Sequence, residues 1–93
     1  MKRPIYVSAD SVAGAILVCY RNLSDRQAVV RNESIAPCAI AGVTRNGKVV
    51  DIEIWGVNAS TLAAVTEYAR SRGLEFPPDL DRLLDPSALY ALR

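Results

Sequence analysis

The chain has 93 residues, 51% hydrophobic and 23% charged, and 11 basic against 10 acidic side chains leave a formal net charge of +1. That length supports one domain with a single modest core, and the composition is globular rather than disordered. The near-neutral balance argues against gripping nucleic acid by phosphate neutralisation, and no apolar run approaches the ~20 residues of a membrane span.

The N-terminus Met1-Lys2-Arg3-Pro4-Ile5-Tyr6 is basic, but the segment after it alternates and breaks too early for a secretory signal. Cys19 and Cys38 are the only cysteines, compatible with free buried thiols or one bridge, and the missing export signal favours thiols in a reducing cytoplasm. Pro4 to Ala9 reads as a first strand, with Ile5 and Val7 opposed to Tyr6 and Ser8. Pro4 suits its start, having no N–H to donate. Asp10-Ser11-Val12-Ala13-Gly14 is a turn cluster. Ala15 to Tyr20 is apolar on both faces, the mark of a central strand covered on both sides. After a loop at Arg21–Asp25, a third strand is expected over Arg26–Asn32. Glu33 to Pro37 reads as a looser connection, with Ile35 able to keep it in the sheet.

A fourth strand from Pro37 or Cys38 to Arg45 turns back through Asn46-Gly47, the strongest short hairpin signal available. A two-residue loop sets Arg45 opposite Lys48 and fixes the register. Val43, Ala41 and Ala39 then face Val50, Ile52 and Ile54 on one side. On the other side Thr44, Gly42, Ile40 and Cys38 face Val49, Asp51, Glu53 and Trp55. The first face is wholly apolar and small on one strand, which leaves room for a helix; the second is mixed.

The helix follows, capped by Asn58 or Ser60 and ended by Gly73. Leu62, Val65 and Ala69 form its apolar stripe, with Tyr68 at the margin. Arg70 and Arg72 complement the dipole at its end. Leu74-Glu75-Phe76 runs extended before Pro77-Pro78 stops regular structure. Two short helical pieces are expected beyond, one from Asp79 through Leu80, Leu83 and Leu84. The second starts at Asp85-Pro86 and carries Leu89, Tyr90 and Leu92. The fold expected is therefore α+β. A four- to five-stranded antiparallel meander with a helix on one face occupies residues 1–76, and a helical tail occupies 77–93.

Gly47-Lys48-Val49-Val50-Asp51-Ile52-Glu53-Ile54 resembles the Gly-x-Val-Val-x-Ile-Glu-Ile strand of a family of small bacterial proteins carrying a domain of unknown function. Asp10 and the Ala15-Ile16-Leu17-Val18 strand match an earlier family motif. Ala9 and Gly14 depart from it, standing where the family has tyrosine and aspartate. The resemblance covers roughly residues 5–59 and implies an antiparallel sheet with a helix. The family has no established activity, and its genes are sometimes suspected to be antitoxin-like neighbours of small toxins. The departures at Ala9 and Gly14 put in doubt any function resting on the first turn.

There is no histidine, which removes Ser-His-Asp and Cys-His catalysis and the commonest metal ligand. Two distant cysteines are no zinc pattern; Cys19 reads as a core thiol. The glycines lack phosphate-loop spacing, so no cofactor is implied. Asp51 and Glu53 share one strand face, roughly 6–7 Å apart by strand rise. With Asp10 they are the candidates for acid–base or metal chemistry in a small hydrolase or ligand-binding domain. The plainer reading is that they solvate the outer face or pair with Arg45 or Lys48. Arg21, Arg26, Arg31 and Arg45, with Tyr6 and Tyr20, could line a nucleic-acid face, but balanced charge favours simple solvation.

The mixed face is the better lead. Cys38, Ile40, Val49 and Trp55 are too apolar for plain exposure and have the composition of an interface core. The expectation is a non-enzymatic interaction module, self-associating as a homodimer. The alternative is that Leu83, Leu84 and Leu89 of the tail cover that face within one chain.

Overall fold

A computed structural model describes residues 1–10, 12, 14–22 and 28–77. Arg26, most of the Arg21–Asp25 loop and the helical tail beyond Pro77 lie outside the described residues. Five strands and one helix follow one another: β1 (Tyr6–Asp10), β2 (Ala15–Cys19), β3 (Val29–Ala36), β4 (Ala39–Thr44), β5 (Val49–Ile54) and α1 (Ala59–Ser71). The fold is an α+β domain, one antiparallel five-stranded sheet with α1 on one face.

The strand order is β1-β2-β5-β4-β3. The expected meander therefore exists in two parts, the β1–β2 hairpin and the β3–β4–β5 run, and they join through β5 rather than β3. Strands β2 to β5 form a Greek key, in which the first of four strands lies beside the last. Pairing β2 with β5 matches Ile16 to Ile54 and Val18 to Ile52, which sets the most apolar strands side by side. The first strand starts later than expected, although Ile5 N–H still donates to the Cys19 carbonyl at 2.7 Å.

β3 begins later than expected and runs through Glu33–Ala36, which had read as a connection. Register shifts between Val29 and Arg31 and between Ser34 and Ala36 let this irregular edge strand stay paired. Pro37 and Cys38 then form the two-residue turn into β4. Pro37 suits the turn because it has no ladder bond to lose.

The β4–β5 register is as expected from Ala39↔Ile54 through Gly42↔Asp51. Nearer the turn it departs. The loop has three residues, Arg45-Asn46-Gly47, with Thr44 N–H donating to the Lys48 carbonyl at 3.0 Å and Gly47 N–H to the Thr44 carbonyl at 2.9 Å. Gly47 sits at φ +81°, the left-handed position that a three-residue hairpin requires. The Thr44 hydroxyl accepts the Lys48 N–H at 3.2 Å, a local bond that favours this loop over the two-residue turn. The extra residue is absorbed by a bulge: Val43 pairs with Val49, not Val50.

The core lies between the sheet and α1. Ile16, Val18, Tyr20, Ala39, Ala41, Val43, Ile52 and Ile54 meet Val65 and Ala69 of the helix, with Leu74 beyond it. Ala39 and Ala41 are the small residues that let the helix approach. The helix stripe is Thr61, Val65 and Ala69, so Thr61 takes the central place expected for Leu62. Leu62 and Tyr68 pack at its margins.

A 13-residue helix is marginal alone, and three devices hold this one. Asn58 Oδ1 accepts the Thr61 N–H at 2.9 Å, closing one orphan donor. At the other end Gly73, at φ +70°, completes a Schellman motif, with Gly73 N–H donating to Arg70 and Leu74 N–H to Ala69. Across to β3, the Tyr68 hydroxyl donates to Glu33 Oε1 at 3.0 Å, while Arg72 pairs with the same carboxylate at 3.3 Å and stacks 4.9 Å over the Tyr68 ring. The chain after Gly73 returns to the N-terminus: Lys2 N–H donates to the Gly73 carbonyl and Glu75 N–H to the Lys2 carbonyl.

Burial pushes the Tyr68 phenol up to about 12, helped by its bond to Glu33. Burial also pushes Tyr20 up to about 12, with the Glu75 charge adding to it; its hydroxyl donates to the Glu75 carbonyl at 3.0 Å. Both phenols are raised in the folded state. Their contribution to stability is therefore full below pH ~10 and is lost as pH rises through about 12. Absorbance titration is expected to show two of the four tyrosines ionising late, with unfolding free energy falling over that window. Asn58→Ala should cost about 1 kcal/mol by chemical denaturation, the usual loss for an N-cap.

Candidate functional site

The face of the sheet opposite α1 collects the outward residues of all five strands. Across β1, β2, β5 and β4 the ladders align Tyr6 with Cys19 and Asp51, and Ser8 with Leu17, Glu53 and Ile40. Residues paired in a ladder point to the same side, so these are neighbours on one surface. Trp55 is 41% and Tyr6 39% exposed, while Leu17 and Ile40 are half-buried. Cys19 is fully buried, as expected of a core thiol, and Cys38 is half-buried.

Of the four expected interface residues, three share this surface. Trp55 N–H donates to the Cys38 carbonyl at 3.0 Å, which holds the two opposite each other as expected. Cys38 sits in the β3–β4 turn rather than in a strand, its thiol seated against Gly56: a Cβ there would meet Sγ at 3.1 Å. Ile40 lies opposite Glu53. Val49 does not belong with them. It is 6% exposed and packs in the core with Val43 and Tyr20, because the bulge turns it to the helix side. An alternation pattern cannot register one inserted residue.

The three carboxylates are only partly convergent. Asp10 and Glu53 both line a shallow cavity of about 230 Å³ over β1, β2 and β5, with Ser8, Ala15 and Leu17. Asp51 lies one ladder position along and is half-buried over Gly42, where a Cβ would meet Asp51 Oδ1 at 2.6 Å. Asp10 Oδ1 accepts the Val12 N–H at 3.0 Å, a local turn bond. Among the described residues no three His, Cys, Asp or Glu side chains could together hold a metal ion. Asp10 and Glu53 stand two strands apart, so their backbones are roughly 10 Å from each other by strand spacing. The cavity can take a small polar group, which the Ser8 hydroxyl and the Asp10 and Glu53 carboxylates in its lining would meet.

Leu17 belongs to this surface and was missed as a candidate, and Tyr6, considered only for a nucleic-acid face, belongs to it as well. The signal was present in the two-sided apolarity of Ala15–Tyr20. Its use required knowing that β2 pairs with β5. No helix among the described residues is long and apolar enough to cross a membrane. Compared with protein-family models, curated proteins and solved structures, the chain matches none of them.

Placing Val49 in the core has a direct consequence. Val49→Ala is expected to cost about 2 kcal/mol in unfolding free energy, two buried methyl groups' worth plus the space they leave. A loss below about 0.5 kcal/mol, as for an exposed position, would return Val49 to the open face.

Proposed function

We propose that the chain is a non-enzymatic interaction domain that associates with a second copy of itself through the sheet face opposite α1. The observation that supports this reading is the grouping of Trp55, Tyr6, Leu17, Ile40 and Cys38 on that face, with two aromatics more than a third exposed. Scattered exposed apolar residues need no explanation, whereas aromatics and aliphatics grouped on one surface are the make-up of an interface core. Asp51 and Glu53 interrupt the patch, and charge at that position supplies the register of a pairing rather than its strength.

Size sets the expected strength. Five strands about 4.8 Å apart and five to eight residues long present roughly 500 Å² in plan, below the ~800 Å² per partner of a standard interface. The dimer is thus a weak one, forming in the micromolar range. An antitoxin-like role, which is suspected for the family the chain resembles, belongs to the same proposal, with self-association building the unit that meets a toxin.

Sedimentation across the micromolar range is expected to show a monomer–dimer equilibrium. Ile40→Lys should abolish the dimer and leave thermal stability close to that of the parent, because the new cation faces Glu53 directly across the ladder. A parent chain that stays monomeric throughout, or an Ile40→Lys variant that dimerises equally well, would defeat the proposal.

A further inference from the structure

At the end of the domain where α1 stops, the β4–β5 hairpin, the end of β2 and the N-terminal segment converge around a second cavity of about 260 Å³. Its charged lining is Lys2, Arg21, Lys48 and Arg72, and it contains no carboxylate. Val49 and Leu74, both buried in the core, form the apolar part of its wall. We propose that this cavity is an anion site that takes a phosphoryl group, held by Arg21, Lys48 and Lys2 with Arg72 at its rim.

Four cations gathered on a chain of net charge +1 repel one another unless something neutralises them. Glu33 already balances Arg72 at 3.3 Å and Glu75 is engaged with Arg3 at 3.3 Å, so three of the four are left to balance. Among the described residues no carboxylate pairs with Lys2, Arg21 or Lys48. Cations do gather at helix C-termini to meet the dipole. Here, however, the Ala69, Arg70 and Gly73 carbonyls are already taken by the backbone N–H groups of Leu74, Gly73 and Lys2. The local helix end therefore leaves the lysines and Arg21 unexplained.

Arg21 supplies the independent observation. Its Nε is buried and finds no acceptor among the described residues. A buried charged donor left unpaired is costly, and native structures rarely keep one without an ion or water to receive it. A planar guanidinium beside two flexible ammonium groups suits a phosphoryl group, with one forked contact and two point charges. The backbone leaves room for it, since a Cβ on Gly47 or Gly73 would meet nothing within 4 Å. At about 260 Å³ the cavity falls below the ~300–1,000 Å³ of sites for drug-sized ligands. It fits free phosphate or the phosphate end of a larger molecule, not a whole cofactor.

This site lies beside the helix end, so it stands or falls separately from dimerisation on the opposite face. Calorimetric titration of the full chain with inorganic phosphate, at ionic strength matched with chloride, is expected to show one site. Gly47 and Gly73 amide resonances should shift with the same affinity. Arg21→Gln and Lys48→Gln, shown to be folded by circular dichroism, should each weaken binding by roughly tenfold or more, the scale of one charge-assisted hydrogen bond. Arg45→Gln, an exposed cation of the same hairpin outside the lining, should leave affinity unchanged. Repeating the titration with ribose 5-phosphate separates the sources. Tighter binding than phosphate assigns the site to a phosphorylated ligand, and equal binding assigns it to the free ion. No heat beyond the chloride control, or equal losses in the Arg21, Lys48 and Arg45 variants, would overturn the site.

Discussion

β5 is hydrogen-bonded along both edges, to β2 and to β4, and the rest of the domain takes its place from it. Ile52 and Ile54 are fully buried, and their ladder partners Val18, Ile16, Ala41 and Ala39 are buried with them. Burial of branched aliphatics at roughly 1.5–3 kcal/mol each makes this cluster the largest favourable term in so small a domain. Once β2 is committed to β5, β3 is left at the far edge. Arg21 lies just past the end of β2.

The bulge at Val49 is the second constraint, and both candidate surfaces feel it. By turning Val49 inward it completes the core beside Tyr20 and Leu74, and it removes an aliphatic side chain from the open face. The same inward turn brings Val49 into the wall of the cation-lined cavity. One extra residue in a hairpin thus trims one surface and helps to shape another. The Thr44 hydroxyl and the positive φ of Gly47 are the local causes.

The helix is a cover attached by its margins as well as by its stripe. Thr61, Val65 and Ala69 bury little side-chain volume, so Leu62 and Tyr68 at the margins and the Tyr68–Glu33–Arg72 cluster share its attachment. The N-cap and the Schellman motif stabilise the helix itself. The half-buried Glu33 is the acceptor that ties it to the β3 edge. This arrangement leaves the opposite face of the sheet out of reach of α1. Among the described residues, the face without a helix and the cationic end are consequences of where a single short helix can reach.

Much of the fold was legible in the residues alone. Alternation marked β1, apolarity on both faces marked β2, the Asn46-Gly47 turn marked β4 and β5 with the inner half of their register, and Asn58 or Ser60 and Gly73 marked the ends of the helix. These features are local, set by turn chemistry and by period, and neighbouring residues in the chain suffice to specify them. Cys38, Ile40 and Trp55 were placed together for the same reason. Tertiary structure decided the rest. The pairing of β2 with β5 depends on which apolar strands fit best across a long separation, and no periodicity records it. The side taken by Val49 depends on one inserted residue whose effect appears only when both strands are present. Lys2, Arg21, Lys48 and Arg72 lie far apart in sequence and meet because the N-terminal segment, the end of β2, the hairpin and the helix end converge; charge counted along a chain cannot show where it gathers in space.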